Sequence, residues 1–400
     1  MRKLATIQRV LNVRPIEGAD KIEVVDVLGW SVVVSKGEFQ PNDLCVYFEI
    51  DSWCDSSIPA FQSPVFEARY SNWGNKRGMR LKTIKLRGQI SQGLVLPLHN
   101  FPEIQSPEEG QDVTDLLKIE KWEPLEEARS NNGGIQKQAG AGRFPSFLRK
   151  TDQERVQNYI NELPKHADET FEVTIKLDGS SMTVYYVNQE SEHYAHIIED
   201  IEARLLRKKS FFGKLLYKAK KLFGQVNHPA YFTGVCSRNL EVDDNGNQFF
   251  EYAKEQQIRE KLVNLGRNIA IQGELIAPSI QQNHEKVTKP EFYVFDVFDI
   301  DLQEYLLPQQ ARSTVELLGL NYVPVLETEK KLVDFEHEAD NGSPEFNRYV
   351  VDQILAYAEG PGMNPGVKRE GVVFKSNSSP FSFKAISNSY LLKKEKTNES

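Results

Sequence analysis

The sequence predicts an α+β protein: a small N-terminal β-barrel, then a larger unit in which strands and helices mix. Three observations carry this. The first hundred residues hold short β-branched runs cut by turn signals. A stretch between Glu126 and Gly142 loses both hydrophobic periodicity and bulky apolar residues. Beyond it, strand and helix patterns alternate almost to the end of the chain.

Taken in order, Glu23–Leu28 and Ser31–Val34 carry the β-branched enrichment of strands, with Gly29 and Trp30 between them. Lys36-Gly37 and Pro41-Asn42-Asp43 mark turns ahead of a further strand at Cys45–Ile50. A last β-rich stretch runs from Arg80 to Leu98, interrupted by Gly88 and Gly93. About five short strands in this length suit a closed barrel of the OB type, and an SH3-like barrel satisfies the same pattern. Ser130–Gly134 and Gln138–Gly142 read as flexible linker. The chain restarts at Phe144–Leu148, and Thr151-Asp152-Gln153-Glu154 fits a capping box, which predicts a helix starting there. The resulting bounds are 1–126 for the barrel, 127–142 for the linker, 143–392 for the larger unit and 393–400 for a frayed polar tail.

Charge sets a puzzle. The 400 residues carry 49 Lys plus Arg against 57 Asp plus Glu, a formal -8. That bulk value argues against a nucleic-acid protein, whose electrostatic footprint is usually basic. Charge acts locally, however, within about 8–10 Å at working salt. Only 40% of residues are apolar, and no run approaches the ~18 that a membrane span requires. Met1–Val10 shows no secretory apolar core. Cys45, Cys54 and Cys236 are too few for a disulfide framework and lack a metal-type spacing. The expectation is a soluble, cytoplasmic chain of more than one domain.

Residues 171–186 read Phe-Glu-Val-Thr-Ile-Lys-Leu-Asp-Gly-Ser-Ser-Met-Thr-Val-Tyr-Tyr. The pattern predicts a hairpin turning through Asp178-Gly179, with Lys176 near the bend, where its side chain reaches a bound ligand. A lysine becomes a covalent nucleophile only after its ammonium loses a proton, so nearby cations or a metal must depress its pKa. Lys-x-Asp-Gly alone is weak, and a surface hairpin with a solvated lysine fits it too. Downstream, an ordered series completes it: Ser237-Arg238-Asn239, Ile271–Leu275 with Glu274, Phe292–Phe298, Glu370–Lys375 and Phe381–Ile386.

This series resembles the covalent nucleotidyltransferase superfamily of RNA ligases, DNA ligases and mRNA capping enzymes, through elements similar to its motifs I, Ia, III, IIIa, IV and V. The resemblance implies a nucleotidyltransferase (ATP-grasp-like ligase) domain of antiparallel sheets flanked by helices, with ATP and Mg2+ or Mn2+ as cofactors. It implies that Lys176 and Lys384 are catalytic, Lys176 forming the bond to AMP and Lys384 orienting the α-phosphate. Nucleotide contacts would come from Ile175, Lys176, Arg238, Glu274, Phe295, Lys375 and Lys384, with Glu274 on the ribose and Phe295 stacked on adenine. Glu370 and Glu274 would hold the metal. The types fit the chemistry, because phosphoryl transfer needs an in-line nucleophile, neutralised phosphate oxygens and a divalent cation. Taken singly, Phe295 reads more simply as a core residue. One departure stands out: Ile386 occupies the place where motif V often has a second lysine, so either Lys384 suffices or Lys375 shares the phosphate.

Domain order narrows the branch. DNA ligases and capping enzymes carry their OB domain after motif V, whereas only residues 385–400 follow Lys384 here. A barrel ahead of motif I is similar to the arrangement of ATP-dependent RNA ligases with an N-terminal OB domain. Ile16–Asp20, Lys36-Gly37-Glu38, Lys85–Leu94 and Thr151–Asn158 look like that family as well. The segments near 200–230 and 335–366 look like insertions. The resemblance implies sealing of RNA 3′-OH and 5′-phosphate ends, expectedly in a nicked duplex, through a lysyl-AMP and an adenylylated 5′ end. The alternatives are a DNA ligase or guanylyltransferase of the same superfamily, or a noncatalytic OB-type RNA-binding protein.

Two basic stretches answer the charge puzzle. Lys76, Arg77, Arg80, Lys82, Lys85 and Arg87 occur with no acid among them, just after Tyr70 and Trp73, where bases could stack. Residues 203–240 carry nine Lys or Arg, among them Arg207, Lys208, Lys209 and Lys218, and no Asp or Glu. Their apolar residues recur at helical spacing, giving an amphipathic basic helix. It reads as an RNA clamp, as a helix packed on the domain, or as a membrane-surface segment.

Overall fold

A strand that the sequence patterns did not single out, β1 (Ala5–Pro15), opens the barrel. Its Ala5–Arg9 half pairs with β4 (Leu44–Phe48) and its Val10–Pro15 half with β2 (Ile22–Val27). The register shifts between Val10 and Asn12. An irregularity of this kind bends a strand, so one strand serves both sides of the barrel. With β3 (Trp30–Ser35) and β10 (Leu94–Pro97) it forms a sheet in the order β10-β4-β1-β2-β3. A second sheet, β11-β5-β7-β6, is made from β5 (Ser52–Asp55), β6 (Ser71–Trp73), β7 (Lys76–Arg80) and β11 (Glu120–Lys121). β8 (Thr83–Leu86) and β9 (Gln89–Gln92) form a hairpin, turning through Arg87 and Gly88 at positive φ. Ile7, Val46, Phe48, Phe61, Met79 and Phe101 fill the barrel. Burying each contributes on the order of 1.5–3 kcal/mol.

The computed structural model describes residues 2–123, 142–207, 228–244, 246–335 and 344–397. Beyond the barrel it holds two antiparallel sheets. The larger runs β12-β16-β15-β14-β17-β18-β19, from β12 (Gly142–Arg143), β14 (Ser180–Asn188), β15 (Tyr231–Cys236), β16 (Leu240–Val242), β17 (Ile269–Ile276), β18 (Glu291–Asp299) and β19 (Glu304–Tyr305). β20 (Asn321–Tyr322) adds to β18 in parallel. The smaller runs β21-β13-β22-β23, from β13 (Thr170–Lys176), β21 (Val325–Lys331), β22 (Gly371–Ser376) and β23 (Ser382–Ile386). Helices Ile258–Leu265 and Pro308–Leu317 pack on the first sheet, and Pro344–Ala358 on the second.

Three sequence-based expectations change. Residues 171–186 do not form a hairpin, because β13 and β14 lie in different sheets. Lys-x-Asp-Gly is the crossover between them, and Lys176 ends one sheet where the other begins. Thr151–Glu154 caps no α-helix; the chain there makes only a short 3-10 turn, Val156–Tyr159. Glu154 Oε1 instead accepts from Arg155 N (3.0 Å) and Asn158 Nδ2 (2.9 Å), while Lys384 N donates to the Glu154 carbonyl (2.8 Å). Backbone pairing with β23 thus outcompetes the local cap. The tail expected to fray from Lys393 continues a helix, Asn388–Thr397. Of the linker expected at 127–142, residues 127–141 lie outside the described residues, and Gly142 opens β12.

A polar seam joins barrel and larger unit. Trp30 Nε1 donates to Asn158 Oδ1 (2.6 Å) and Gly29 N to the Gln157 carbonyl (2.8 Å). From the helix Pro344–Ala358, Arg348 reaches the Trp30 carbonyl (3.2 Å) and Ser31 Oγ (2.9 Å). A Cβ on Gly29 would lie 2.6 Å from Gln157 Cα. Gly29→Ala therefore forces backbone apart, with an expected cost of about 1–3 kcal/mol, read as a lower urea midpoint.

Candidate active site

The site lies where the two sheets meet. Lys176, at the end of β13, pairs in register with Gly371, so Glu370 comes to the same junction just ahead of β22. Lys176 Nζ donates to Glu370 Oε2 at 2.8 Å. Burial pulls the Lys176 ammonium down, but Glu370, then Glu274 and Asp178, outweigh it and hold its pKa above the ordinary lysine value. The expected depression of that pKa is therefore not supplied by the protein's own residues; the carboxylates around Lys176 act the other way.

Glu274 reaches the junction from β17. Its Oε1 accepts from Gly179 N at 3.0 Å, fixing the crossover. Gly179 is needed for this approach, because a Cβ there would lie 2.5 Å from the Leu275 carbonyl. Burial, aided by Glu370 and Asp178 and opposed by Lys176, pushes the Glu274 carboxyl up to about 7. Glu285 is almost fully buried, and burial raises it too, against the pull of His284 and of a backbone hydrogen bond from Asp178. Glu370, Glu274 and Asp178 thus gather close to Lys176, with Glu285 beside them, a concentration of carboxylates that a divalent cation would relieve. Among the described residues no three His, Cys, Asp or Glu are gathered closely enough to cage a bare ion. The donor set fits a hydrated cation shared between one or two carboxylates and substrate phosphates.

Lys384 comes in from β23. Its Nζ contacts Asp152 Oδ1 at 3.0 Å. Burial, with Arg155, Arg2 and Lys176 nearby, brings its ammonium down to about 8 despite Asp152. Asp152 also holds Lys121 of the barrel (2.9 Å) and Arg238 (3.6 Å). Burial opposes ionisation of Asp152, but Lys384, Lys121 and Arg238 keep it well below the usual carboxylate range. Lys384, Lys121 and Arg238 thus converge on one anionic group, which is what a phosphate site requires.

Phe295 owes its placement to an irregularity. Gln272 pairs with Asp296 and Gly273 with Val294, leaving Phe295 as the extra residue of β18. Its ring joins Ile175, Leu177, Ile276, Val287 and Val323 in an apolar cluster beside the junction. Ile175 is buried there. Lys375 is also buried, its Nζ bound to Asp296 (2.5 Å) and to the Phe295 carbonyl. It braces the extra residue from behind, and Lys375 stands here as an internal ion pair with Asp296.

The barrel cations divide. Arg80 binds Asp51 (2.6 Å) and lies over Trp122, 3.9 Å from its ring centre. Lys76 pairs with Glu120, and Trp73 packs on Trp53 with its Nε1 on the Glu123 carbonyl. Lys82 is half-buried, whereas Lys85 and Arg87 are exposed on the β8–β9 hairpin. Arg207 ends the helix His193–Arg207, and Lys208, Lys209 and Lys218 lie outside the described residues. Two site residues, Asp152 and Glu285, escape sequence reasoning. Asp152 carries a signal, standing in a family-like stretch, but the same stretch mimics a helix cap; Glu285 carries none.

Known proteins match this arrangement. An OB-fold domain model matches residues 4–98 and the RNA ligase family model matches residues 169–386. A mutant RNA ligase of Naegleria gruberi solved with ATP and Mn is 39% identical, with a TM-score of 0.76 and coverage of 100% of both chains. Another mutant of it, solved with AMP and Mn, gives 39% identity, a TM-score of 0.77 and the same coverage. Among curated sequences, cell division protein DivIB of Enterococcus faecalis is 24% identical over 218 residues, 52% of this chain and 56% of that one. The chain spans about half the length of the curated relatives it matches. With an OB-fold domain ahead of it, a family match over more than half its length and full-length relatives at 39% identity, the chain belongs to the RNA ligase family.

Proposed function

We propose that the protein is an ATP-dependent RNA ligase that joins a 3′-OH to a 5′-phosphate. The observation that carries this is the Lys176–Glu370 contact at the sheet junction, with Lys176 near enough to Lys384 to lower its pKa. In the first step Lys176 Nζ, having given up its proton, attacks the α-phosphorus of ATP. The Nζ–P bond forms, the bond to the β-phosphate oxygen breaks and pyrophosphate leaves. AMP then passes from Lys176 to an RNA 5′-phosphate, and the 3′-OH displaces AMP to close the strand. Glu370 must loosen its hold on Lys176 for the first attack. Lys384, freed from Asp152, neutralises the phosphate being transferred. Phe295, Ile175 and Leu177 offer an apolar wall for the base. A divalent cation, which Glu370 and Glu274 would help hold, supplies charge that neutralises the triphosphate and lowers the lysine pKa.

The test is a panel of nicked RNA and RNA–DNA duplexes with ATP and either metal. Nicks bearing 3′-OH and 5′-phosphate should be sealed, and identical nicks bearing 5′-OH should not. Sealing that is indifferent to the 5′-phosphate overturns the reading. GTP competing as well as ATP would favour a capping-type activity. On this reading Lys85 and Arg87, exposed on the β8–β9 hairpin, would contact RNA phosphates, and their contribution should weaken as salt rises.

A further inference from the structure

The C-terminal helix, Asn388–Thr397, is wedged between the barrel and the turn just after Lys176. One side of it belongs to the barrel. Asn388 Oδ1 accepts from Gln92 Nε2 at the end of β9 (3.2 Å), and Leu391 packs on the cluster containing Val10, Val25, Trp30 and Tyr47. The other side belongs to the nucleophile. Lys394 Nζ reaches Asp178 Oδ1 (3.3 Å) and Tyr390 Oη (2.8 Å). Tyr390 is 7% exposed, and its hydroxyl shares the Asp178 carboxylate. Residues four apart lie on one helical face and those three apart nearly so. Tyr390 and Lys394 therefore look one way, and Asn388 and Leu391 the other. Ser387 Oγ starts the helix by accepting from Tyr390 N (3.1 Å).

Besides the helix, the crossover 177–179 is held by Leu177, buried in the apolar cluster with Ile175 and Val287, and by the Asp178 backbone hydrogen bond to Glu285. It is not a hairpin, so no ladder between β13 and β14 sets its shape. Gly179 N is tied to Glu274, and the Asp178 side chain is tied to the C-terminal helix. We infer that Lys394 and Tyr390 are positioning residues: they hold Asp178, and through it the turn that aims Lys176, while Asn388 and Leu391 key the same helix to the barrel. The inference rests on Lys176 being the nucleophile. It makes seating of the barrel and aim of the lysine a single mechanical unit, joined through one short helix.

The experiment compares wild type, Lys394→Ala and Lys394→Arg in three assays: single-turnover labelling by radioactive ATP, sealing of a nick whose 5′ strand is already adenylylated, and thermal unfolding. An error of about 1 Å in placing a reacting group can cost about 100-fold in rate. Lys394→Ala should therefore slow labelling at saturating ATP by about 10-fold or more, with KM for ATP changed less than about threefold. Lys394→Arg, which keeps a charged donor on a long stem, should restore labelling to within about threefold. Sealing of the pre-adenylylated strand does not use the Lys176 attack and should change less than about threefold. Labelling by Lys394→Ala within about twofold of wild type overturns the inference. So does a parallel fall of labelling, sealing and melting temperature, which marks a merely structural role. Wild type that takes no label overturns the ligase reading and this inference together, whereas a labelled wild type with an unimpaired Lys394→Ala overturns this one alone.

Discussion

Lys176→Ala should take up no label from radioactive ATP in the presence of Mg2+ or Mn2+, a loss of at least about 1,000-fold against the wild type, because on the proposed mechanism the covalent route disappears with its nucleophile. Lys384 is the rival. It has the lower pKa of the two, about 8, while the carboxylates around Lys176 hold that ammonium above its ordinary value. On basicity alone Lys384 would be the readier nucleophile. The proposed assignment rests on geometry instead. Lys384 stands within a group of cations, among them Lys121 and Arg238, that share Asp152, an arrangement suited to gripping a phosphate. Lys176 stands at the crossover beside Glu370, with the apolar cluster of Ile175 and Phe295 next to it. On the proposed mechanism, the cost of deprotonating Lys176 is met only when something draws Glu370 away from it, which would tie attack to arrival of the substrate and its cation. Lys384→Ala should accordingly reduce labelling without removing the attachment site. Label that survives in Lys176→Ala and vanishes in Lys384→Ala would exchange the two assignments.

The contrast between these lysines shows what could be read from the sequence. Lys176, Glu274, Phe295, Glu370 and Lys384 were legible because each belongs to a short motif whose chemistry constrains residue type. The strands β2, β3 and β4 were legible because β-branched runs and turn residues are local signals. The features that escaped depend on distant segments. The crossover between two sheets looks in sequence like any Asp-Gly hairpin, and only the partners of β13 and β14 distinguish the two. Asp152 looks like a capping-box residue until β23 arrives to pair with the adjoining backbone. β1 is hidden because no turn residues bracket its start. Lys375 and Lys384 both lie on strands near motif ends, yet one is spent on Asp296 and the other faces Asp152. No spacing rule separates them.

Glu370→Gln provides the second large effect and tests whether Glu370 does more than restrain Lys176. Two consequences oppose one another. The carboxylate raises the Lys176 pKa, so its removal lowers that pKa and should move the rising limb of the labelling pH profile to lower pH. If restraint were its whole contribution, the amide would label faster than wild type near neutrality. Glu370 also contacts Lys176 Nζ directly, at 2.8 Å, and on the proposed mechanism would share a cation with the triphosphate. Losing a preorganised charge aimed at the transition state costs on the order of 100- to 1,000-fold. The expected profile is therefore shifted to lower pH and lowered across its whole plateau by about that factor, with a higher metal concentration needed for half-maximal labelling. The magnitudes decide which effect wins, because freeing the lysine can return at most the fraction that Glu370 kept protonated. A plateau equal to the wild type's, merely reached at lower pH, would leave Glu370 with the restraining role alone and move the cation-holding role to Glu274.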